Sequence, residues 1–263
     1  MPRTTFLYQT EAVGASGQIT LPVVDTMPIQ ASIATNIGTG FGKVRVDGFK
    51  HLDYLTIGAI ESHVVSSYSE KDGAHGTLAS VMIEELNNLH MVTCDRMVSR
   101  LTSKHPKKAN AQPSFILHGT HFDNLRIAGH AIDLNLAVGL LSELSTWKKL
   151  NDAYENDPKI RAELDALAIY PPDEKQRKSK KLPLENGIFA CTLARIPANL
   201  PHGLERRDHG IYVPHFGTIY ACEYYIGPGS RRMRMLHVDM GCAVEGCNGY
   251  GDTGGGGMPL PGN

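Results

Sequence analysis

Apolar and polar positions alternate along much of the first half of the chain. The segment Met91–Leu101 keeps a period of two over eleven residues, and Val44 and Val46 alternate with charged neighbours. Successive side chains of a strand point to opposite faces, so both patterns predict half-buried strands. The same alternation at Ile132–Leu136 predicts a further strand near the middle of the chain.

Three short segments share the form apolar-x-x-Leu, and they are spaced 34 and 39 residues apart. They are Phe49–Leu52, Ile83–Leu86 and Phe122–Leu125. A corner that recurs between long strands is typical of stacked β-layers, either a solenoid-like stack or a sandwich. A pattern this loose also recurs by chance, so a structural repeat and a coincidence both stay open.

The pattern changes over residues 141–182, which predict a short helical insertion. Apolar residues recur at helical spacing over 141–147 and again over 160–167. Between them, Asp157 followed by Pro158 is typical of a helix start. The basic segment 175–181 that follows is predicted to be a solvated loop.

Strand patterns resume after the insertion and end in a glycine-rich segment. A hairpin is predicted with arms at 218–226 and 231–240, and a parity shift of the apolar residues in the second arm indicates either a bulge or a strand buried on both faces. Residues 241–263 are predicted to form a flexible tail. The fold class is therefore mainly β: a stacked β-layer domain over 1–240 with the helical insertion, followed by the tail.

Charge and composition exclude several classes of protein. The 26 basic and 27 acidic residues nearly balance, so no nucleic-acid partner is expected. No apolar run is long enough for a secretory signal or a membrane span. The five cysteines are scattered and odd in number, which favours a reducing cytoplasmic compartment, although export by another route stays open.

Two groups of histidines are candidates for chemistry. His121 and Asp123 share a strand face and are candidates for an acid/base or metal site. His202, His209 and His215 lie in one predicted loop and are candidate metal ligands. Their spacings of seven and six residues match no standard ligand pattern, and surface or loop histidines are the simpler interpretation of both groups.

Arg206 and Arg207 lie between these histidines and are candidate binding residues. Two arginines can hold a phosphate or carboxylate, or they can pair with acidic residues of a neighbouring copy. Catalytic motifs are missing: the chain has no GxSxG nucleophile elbow and no Walker A loop. These observations favour a protein that is not an enzyme, and no cofactor is predicted.

Residues 77–136 carry several short motifs in a fixed order. They are Glu85-Leu-Asn-Asn-Leu89, Met91-Val-Thr-Cys-Asp95 and His121-Phe-Asp-Asn-Leu-Arg-Ile-Ala-Gly-His130-Ala-Ile132. In these motifs the chain resembles the bacterial β-rich proteins of the choice-of-anchor P type. The resemblance implies an all-β scaffold, one used in assembly, and it assigns no catalytic residue.

These observations lead to three functional hypotheses. The first is a structural or self-assembling β-rich scaffold that acts through protein-protein surfaces as a homo-oligomer. The second is a metal- or acid/base-dependent enzyme that uses the histidine-rich loops. The third is a polyanion or small-molecule binding module that uses the basic segment 175–181 and the arginine pair.

Overall fold

The long alternating segments form strands of 11 to 16 residues. The computed structural model describes residues 6–35, 39–108, 111–242 and 244–259. The strands of the first half are β1 (Phe6–Leu21), β2 (Asp25–Thr35), β3 (Gly40–His51), β4 (Leu55–Ser69), β5 (Ala74–Asn88) and β6 (Val92–Pro106).

Shorter strands and the helices follow. The short strands before the helices are β7 (Ser114–Ile116), β8 (His121–Asp123), β9 (Arg126–Ile127), β10 (His130–Ala131) and β11 (Asn135–Leu136). The helices are α1 (Val138–Glu143), α2 (Trp147–Asn156), α3 (Pro158–Leu167) and α4 (Glu174–Ser179). The remaining strands are β12 (Phe189–Thr192), β13 (Ala194–Arg195), β14 (Glu205–Arg207), β15 (Gly210–Val213), β16 (Gly217–Ile226), β17 (Ser230–Cys242) and β18 (Val244–Pro259).

The strands form two antiparallel sheets that pack face to face. Sheet A has the order β14-β15-β16-β17-β18-β1-β2, with β12 also paired to β16. Sheet B has the order β10-β9-β6-β5-β4-β3, with β7 and β8 also paired to β6. The inner strands β18 and β1 of sheet A lie over β4, β5 and β6 of sheet B. This is a sandwich rather than a solenoid, and it confirms the mainly β prediction.

The interior of the sandwich is lined by small and polar side chains as well as apolar ones. Two hydrogen bonds join the sheets: Ser99 Oγ lies 2.9 Å from Thr253 Oγ1, and Asn88 Nδ2 donates to Tyr250 Oη at 3.0 Å. All four side chains are buried. Buried polar groups with good partners fix one relative position of the two sheets, because a shifted position leaves them unpaired.

A row of backbone irregularities crosses each sheet. In each sheet, every second long strand carries one residue with positive φ, and the ladder pairing is interrupted at that residue. These residues are Ala31, Gly48, Glu85, Cys222 and Gly251. We call these five residues the kink row. Beyond Glu85 the buried parity changes, so β5 buries odd-numbered residues before it and even-numbered ones after it. The parity shift predicted in the second hairpin arm belongs to this row, because the pairing of β16 with β17 skips Cys222 and Met235. The pairing keeps its register across the skipped position, so the shift is not a bulge.

The helix α3 begins as predicted. Asp157 accepts hydrogen bonds from the backbone N–H groups of Lys159 and Ile160, at 2.8 and 3.2 Å, with Pro158 at the first helical position. The basic segment, however, does not form only a loop. Most of it lies in the short helix α4, which ends at Ser179.

Two predictions about the fold are wrong. The predicted flexible tail contains β18, which lies between β17 and β1 and is paired on both sides; residues 243 and 260–263 of that segment lie outside the described residues. The three leucines of the proposed repeat also occupy different positions. Leu52 is exposed in the turn between β3 and β4, whereas Leu86 is buried within β5 and Leu125 follows β8.

Candidate functional site

Exposed apolar side chains gather at one end of the sandwich. The turn between β1 and β2 exposes Leu21, Val23 and Val24, the last with 72% of its surface accessible. Leu52, in the turn between β3 and β4, and Ile29, on β2, are exposed as well. We call these five residues the apolar tip. Several exposed apolar side chains on neighbouring turns and the adjoining strand are typical of an interaction site.

A small polar and aromatic cluster holds the two turns of the apolar tip together. His51 Nε2 lies 3.2 Å from Asp25 Oδ2, which connects the β3–β4 turn to the β1–β2 turn. The ring of His51 contacts that of Tyr54 edge-on, with 5.4 Å between centroids. Burial, with a smaller contribution from Asp25, raises the pKa of Tyr54 to about 12. The two turns that carry the apolar side chains are therefore packed against each other.

The predicted pair His121 and Asp123 is brought together, but on the surface. His121 Nε2 lies 3.6 Å from Asp123 Oδ2, and about half of each side chain is exposed. His121 Nδ1 donates a hydrogen bond to the Gly119 carbonyl oxygen at 2.9 Å. Water strongly screens the interaction of an exposed pair, so the contact holds neither side chain firmly in place. An acid/base role for this pair remains a prediction.

The three histidines predicted as metal ligands do not converge. His202 and His215 are exposed in separate turns, whereas His209 is half-buried and points to a carboxylate of strand β16. Over the ranges that the structure describes, no three His, Cys, Asp or Glu side chains come together in an arrangement able to hold a metal ion. The structure therefore offers no geometric support for this trio as one metal site.

Arg206 and Arg207 also act separately. They are neighbours on β14, and successive strand residues point to opposite faces. Arg207 stacks on the ring of Tyr212, with 3.5 Å between its guanidinium carbon and the ring centroid. Arg206 instead lines a cleft of about 530 Å³ beside α3, together with His209. The two arginines therefore do not form the joint anion clamp that their adjacency suggested.

The residue that the sequence pattern did not single out is Glu223, on the outer face of β16. Its Oε1 accepts a hydrogen bond from His209 Nε2 at 3.1 Å, and its Oε2 lies 3.4 Å from His237 Nδ1. The Tyr220 ring lies between the two imidazoles, 4.6 and 5.4 Å from them. A buried carboxylate needs partners. A single Glu in the otherwise apolar strand 217–226 was therefore the feature of the sequence that could have indicated a polar cluster here.

The environment of Glu223 favours its charged form. Burial by itself would raise the pKa of this carboxyl, but the hydrogen bond from His209 and the contact with His237 outweigh it and lower the pKa to about 2. The Arg234 guanidinium, on the adjacent strand β17, is within electrostatic range of the same carboxylate. Glu223 thus lies among two imidazoles and a guanidinium.

We expect Glu223→Gln to destabilise the fold by about 2–3 kcal/mol near neutral pH. The ordinary pKa of 4.5 is lowered in the folded state, so the contribution is complete above about pH 4.5 and is lost as the pH falls towards 2. Urea unfolding of both proteins at several pH values measures this. Glu205→Gln, a change to an exposed carboxylate on β14, is the control. A difference that stays constant with pH would contradict the assignment.

The fold is an antiparallel β-sandwich. Its four helices lie between β11 and β12 in the sequence. The family model described as Domain of unknown function (DUF8256) matches residues 6–227. This covers most of the chain, which therefore belongs to that family. The matched segment includes β1 to β16 but neither β17 nor β18.

The other comparisons provide no relative. No curated protein and no solved structure matches the chain. Among the described residues, every helix is too short or too polar to cross a membrane.

Proposed function

We propose that this protein is a structural β-rich scaffold that associates with copies of itself through the apolar tip. The observation that carries the proposal is the set of exposed apolar side chains at one end of the sandwich, among them Val23 at 65% and Val24 at 72% accessibility. Keeping these side chains in water is unfavourable, and covering them releases the free energy of apolar burial. The proposal agrees with the assembly role that the choice-of-anchor P resemblance implies.

A second copy of this chain fits the apolar tip better than a charged partner does. Asp25 is the one charged residue in the segment 21–29, and it faces His51 at 3.2 Å. Lys50 and Asp53, which flank Leu52, are exposed but lie 2.8 Å from each other. The charges beside the tip are thus paired within one copy, and two copies can meet at this end without unpaired like charges facing each other. An exposed surface that is complementary to itself suits a twofold dimer, which is the commonest form of homo-oligomer.

Side chains rather than backbone pairing are expected to form the contact. β2 is the outermost strand of sheet A, and such an edge can pair with another chain. Pro28 lies within β2 and has no backbone N–H to donate, which hinders the addition of a continuous strand. The association is therefore expected to be apolar, reversible and dependent on concentration.

The proposal includes a reducing, cytoplasmic compartment. Cys94, Cys191, Cys222 and Cys247 are free thiols, and the first three of them are buried. Free buried thiols support a compartment in which disulfides are not formed.

Light scattering coupled to size-exclusion chromatography tests the self-association. The unmodified chain is expected to shift from monomer to dimer as its concentration rises, and Val24→Lys is expected to weaken the dimer by about tenfold or more. Ile116→Lys makes the same kind of change at an exposed apolar residue on β7 and is expected to leave association unchanged. A chain that stays monomeric at every concentration, or equal effects of both substitutions, would refute the proposal.

A further inference from the structure

A groove of about 710 Å³ lies on the outer face of sheet A. It lies over β18, between β17 and β1, and none of its lining residues belongs to the apolar tip. Side chains of β17, β16 and the segment before β12 line it on one side, and side chains of β1 line it on the other. Its volume is within the range of small-molecule sites, about 300–1,000 Å³.

The floor of the groove follows from the glycines of β18. Gly254 is paired with Arg232 on β17 and with Glu11 on β1, and Gly256 is paired with Ser230 and Gln9. A Cβ at Gly254 would lie 2.9 Å from Glu11 Oε1, so this position faces the outer side. Without side chains of its own there, β18 forms a low floor between two walls that are two strand spacings apart, about 10 Å. The Glu11 side chain covers Gly254, which is buried, whereas Gly256 is partly exposed.

One wall of the groove carries more positive charge than it neutralises. Arg232 Nη2 lies 3.0 Å from Asp252 Oδ2, and Arg234 Nε lies 3.1 Å from Asp252 Oδ1. One carboxylate thus balances two guanidinium groups. Arg232 is 54% exposed, and a guanidinium has five N–H donors, so most of its donors remain available to a ligand.

Apolar and aromatic groups complete the same wall. Tyr225 is paired with Arg232 across β16 and β17, and the exposed Ile188 lies just before β12. Both line the groove. The combination of a flat backbone floor, an apolar side and a partly uncompensated guanidinium fits a flat, mainly apolar molecule with a single anionic group.

We propose that this groove is a binding site for a small flat molecule that carries one carboxylate or phosphate group. The anionic group lies against Arg232, where it completes the coordination of the guanidinium, and the flat body lies over Gly256 and against Tyr225 and Ile188. Glu11, on the opposite wall, repels the anionic group and orients the ligand towards β17. The site is independent of self-association.

Two substitutions of opposite expected effect test the site. Arg232→Gln removes the anion partner, and naphthoate binding measured by calorimetry on the full chain is expected to weaken by about tenfold or more. Glu11→Gln removes the repulsive charge and is expected to strengthen the same binding. Arg45→Gln is the control, because Arg45 is similarly exposed and ion-paired to carboxylates but lies on sheet B.

The choice of probe separates the sources of affinity. Naphthamide has the same shape as naphthoate without its charge and is expected to bind more weakly; naphthyl phosphate, compared with naphthoate, shows which anionic group is preferred. Failure of both anionic probes to bind the unmodified chain would overturn the proposal. So would naphthamide binding as tight as that of naphthoate, or equal effects of Arg232→Gln and Arg45→Gln in proteins with unchanged melting temperatures.

Discussion

A chain truncated after residue 243 is expected not to fold. The truncation removes β18, which is paired with β17 on one side and with β1 on the other. Sheet A would lose a central strand, and the buried side chains of β17 that contact it, among them Leu236 and Met233, would be exposed. A domain has only about 5–15 kcal/mol of net stability, which is less than such a loss.

Circular dichroism and thermal melting of the truncated protein measure this result. The expected outcome is a chain without a cooperative transition. A truncation after Pro259 retains all the strand pairs described for β18 and is the control. A soluble fragment that ends at residue 243 and melts cooperatively would show that β18 is dispensable.

Gly246→Ala is expected to destabilise the protein by about 3 kcal/mol or more. Gly246 has φ of +152°, a conformation that residues with a side chain rarely adopt. An added Cβ would overlap the Gln18 carbonyl oxygen and lie 2.8 Å from Ile19 Cα, and both belong to the backbone of β1. Backbone in the middle of a ladder cannot move away cheaply.

Gly241→Ala is the matched control for this substitution. Gly241 lies on β17, and an added Cβ there would have no neighbour within 4 Å. Denaturant unfolding of both variants is therefore expected to give a large loss for Gly246→Ala and little change for Gly241→Ala. Similar losses in the two variants would contradict this assignment, because an added Cβ at Gly241 meets no backbone of a neighbouring strand.

The elements that depend on local patterns could be predicted from the sequence. The alternation over Met91–Leu101 lies almost entirely within β6, and the predicted start at Asp157 is the N-cap of α3. The hairpin at 218–240 is formed by β16 and β17. In each case the signal and its physical cause lie within a few neighbouring residues.

The glycine strand β18 could not be predicted in this way. Glycine has low β-propensity and no side chain with which to show alternation, so residues 244–259 resemble a linker. What holds this segment extended is pairing with β1, at the other end of the chain. A partner so distant in sequence leaves no local pattern, and tertiary pairing decides the conformation.

The candidate sites likewise combine features that the sequence shows with features that depend on strand pairing. His209 and Arg206 were identified by residue type, and both line the cleft beside α3. The partner of His209 is Glu223, and the two are close because Gly210 on β15 is paired with Tyr220 on β16. Such a register depends on strand pairing, which composition and spacing do not reveal. The apolar tip likewise depends on which turns meet at one end of the sandwich.

The pairing of the first strand with the last one also sets an order for folding during synthesis. Residues as far apart as Thr10 and Gly254, 244 positions from each other, are hydrogen-bonded across β1 and β18. The strands β3 to β6 of sheet B are joined by short hairpins and can pair as soon as they leave the ribosome. β1 is made first, but its inner partner is made last, so one of its backbone edges stays unpaired for almost the whole of translation. Slow synthesis or a shortage of chaperones should therefore affect sheet A before sheet B.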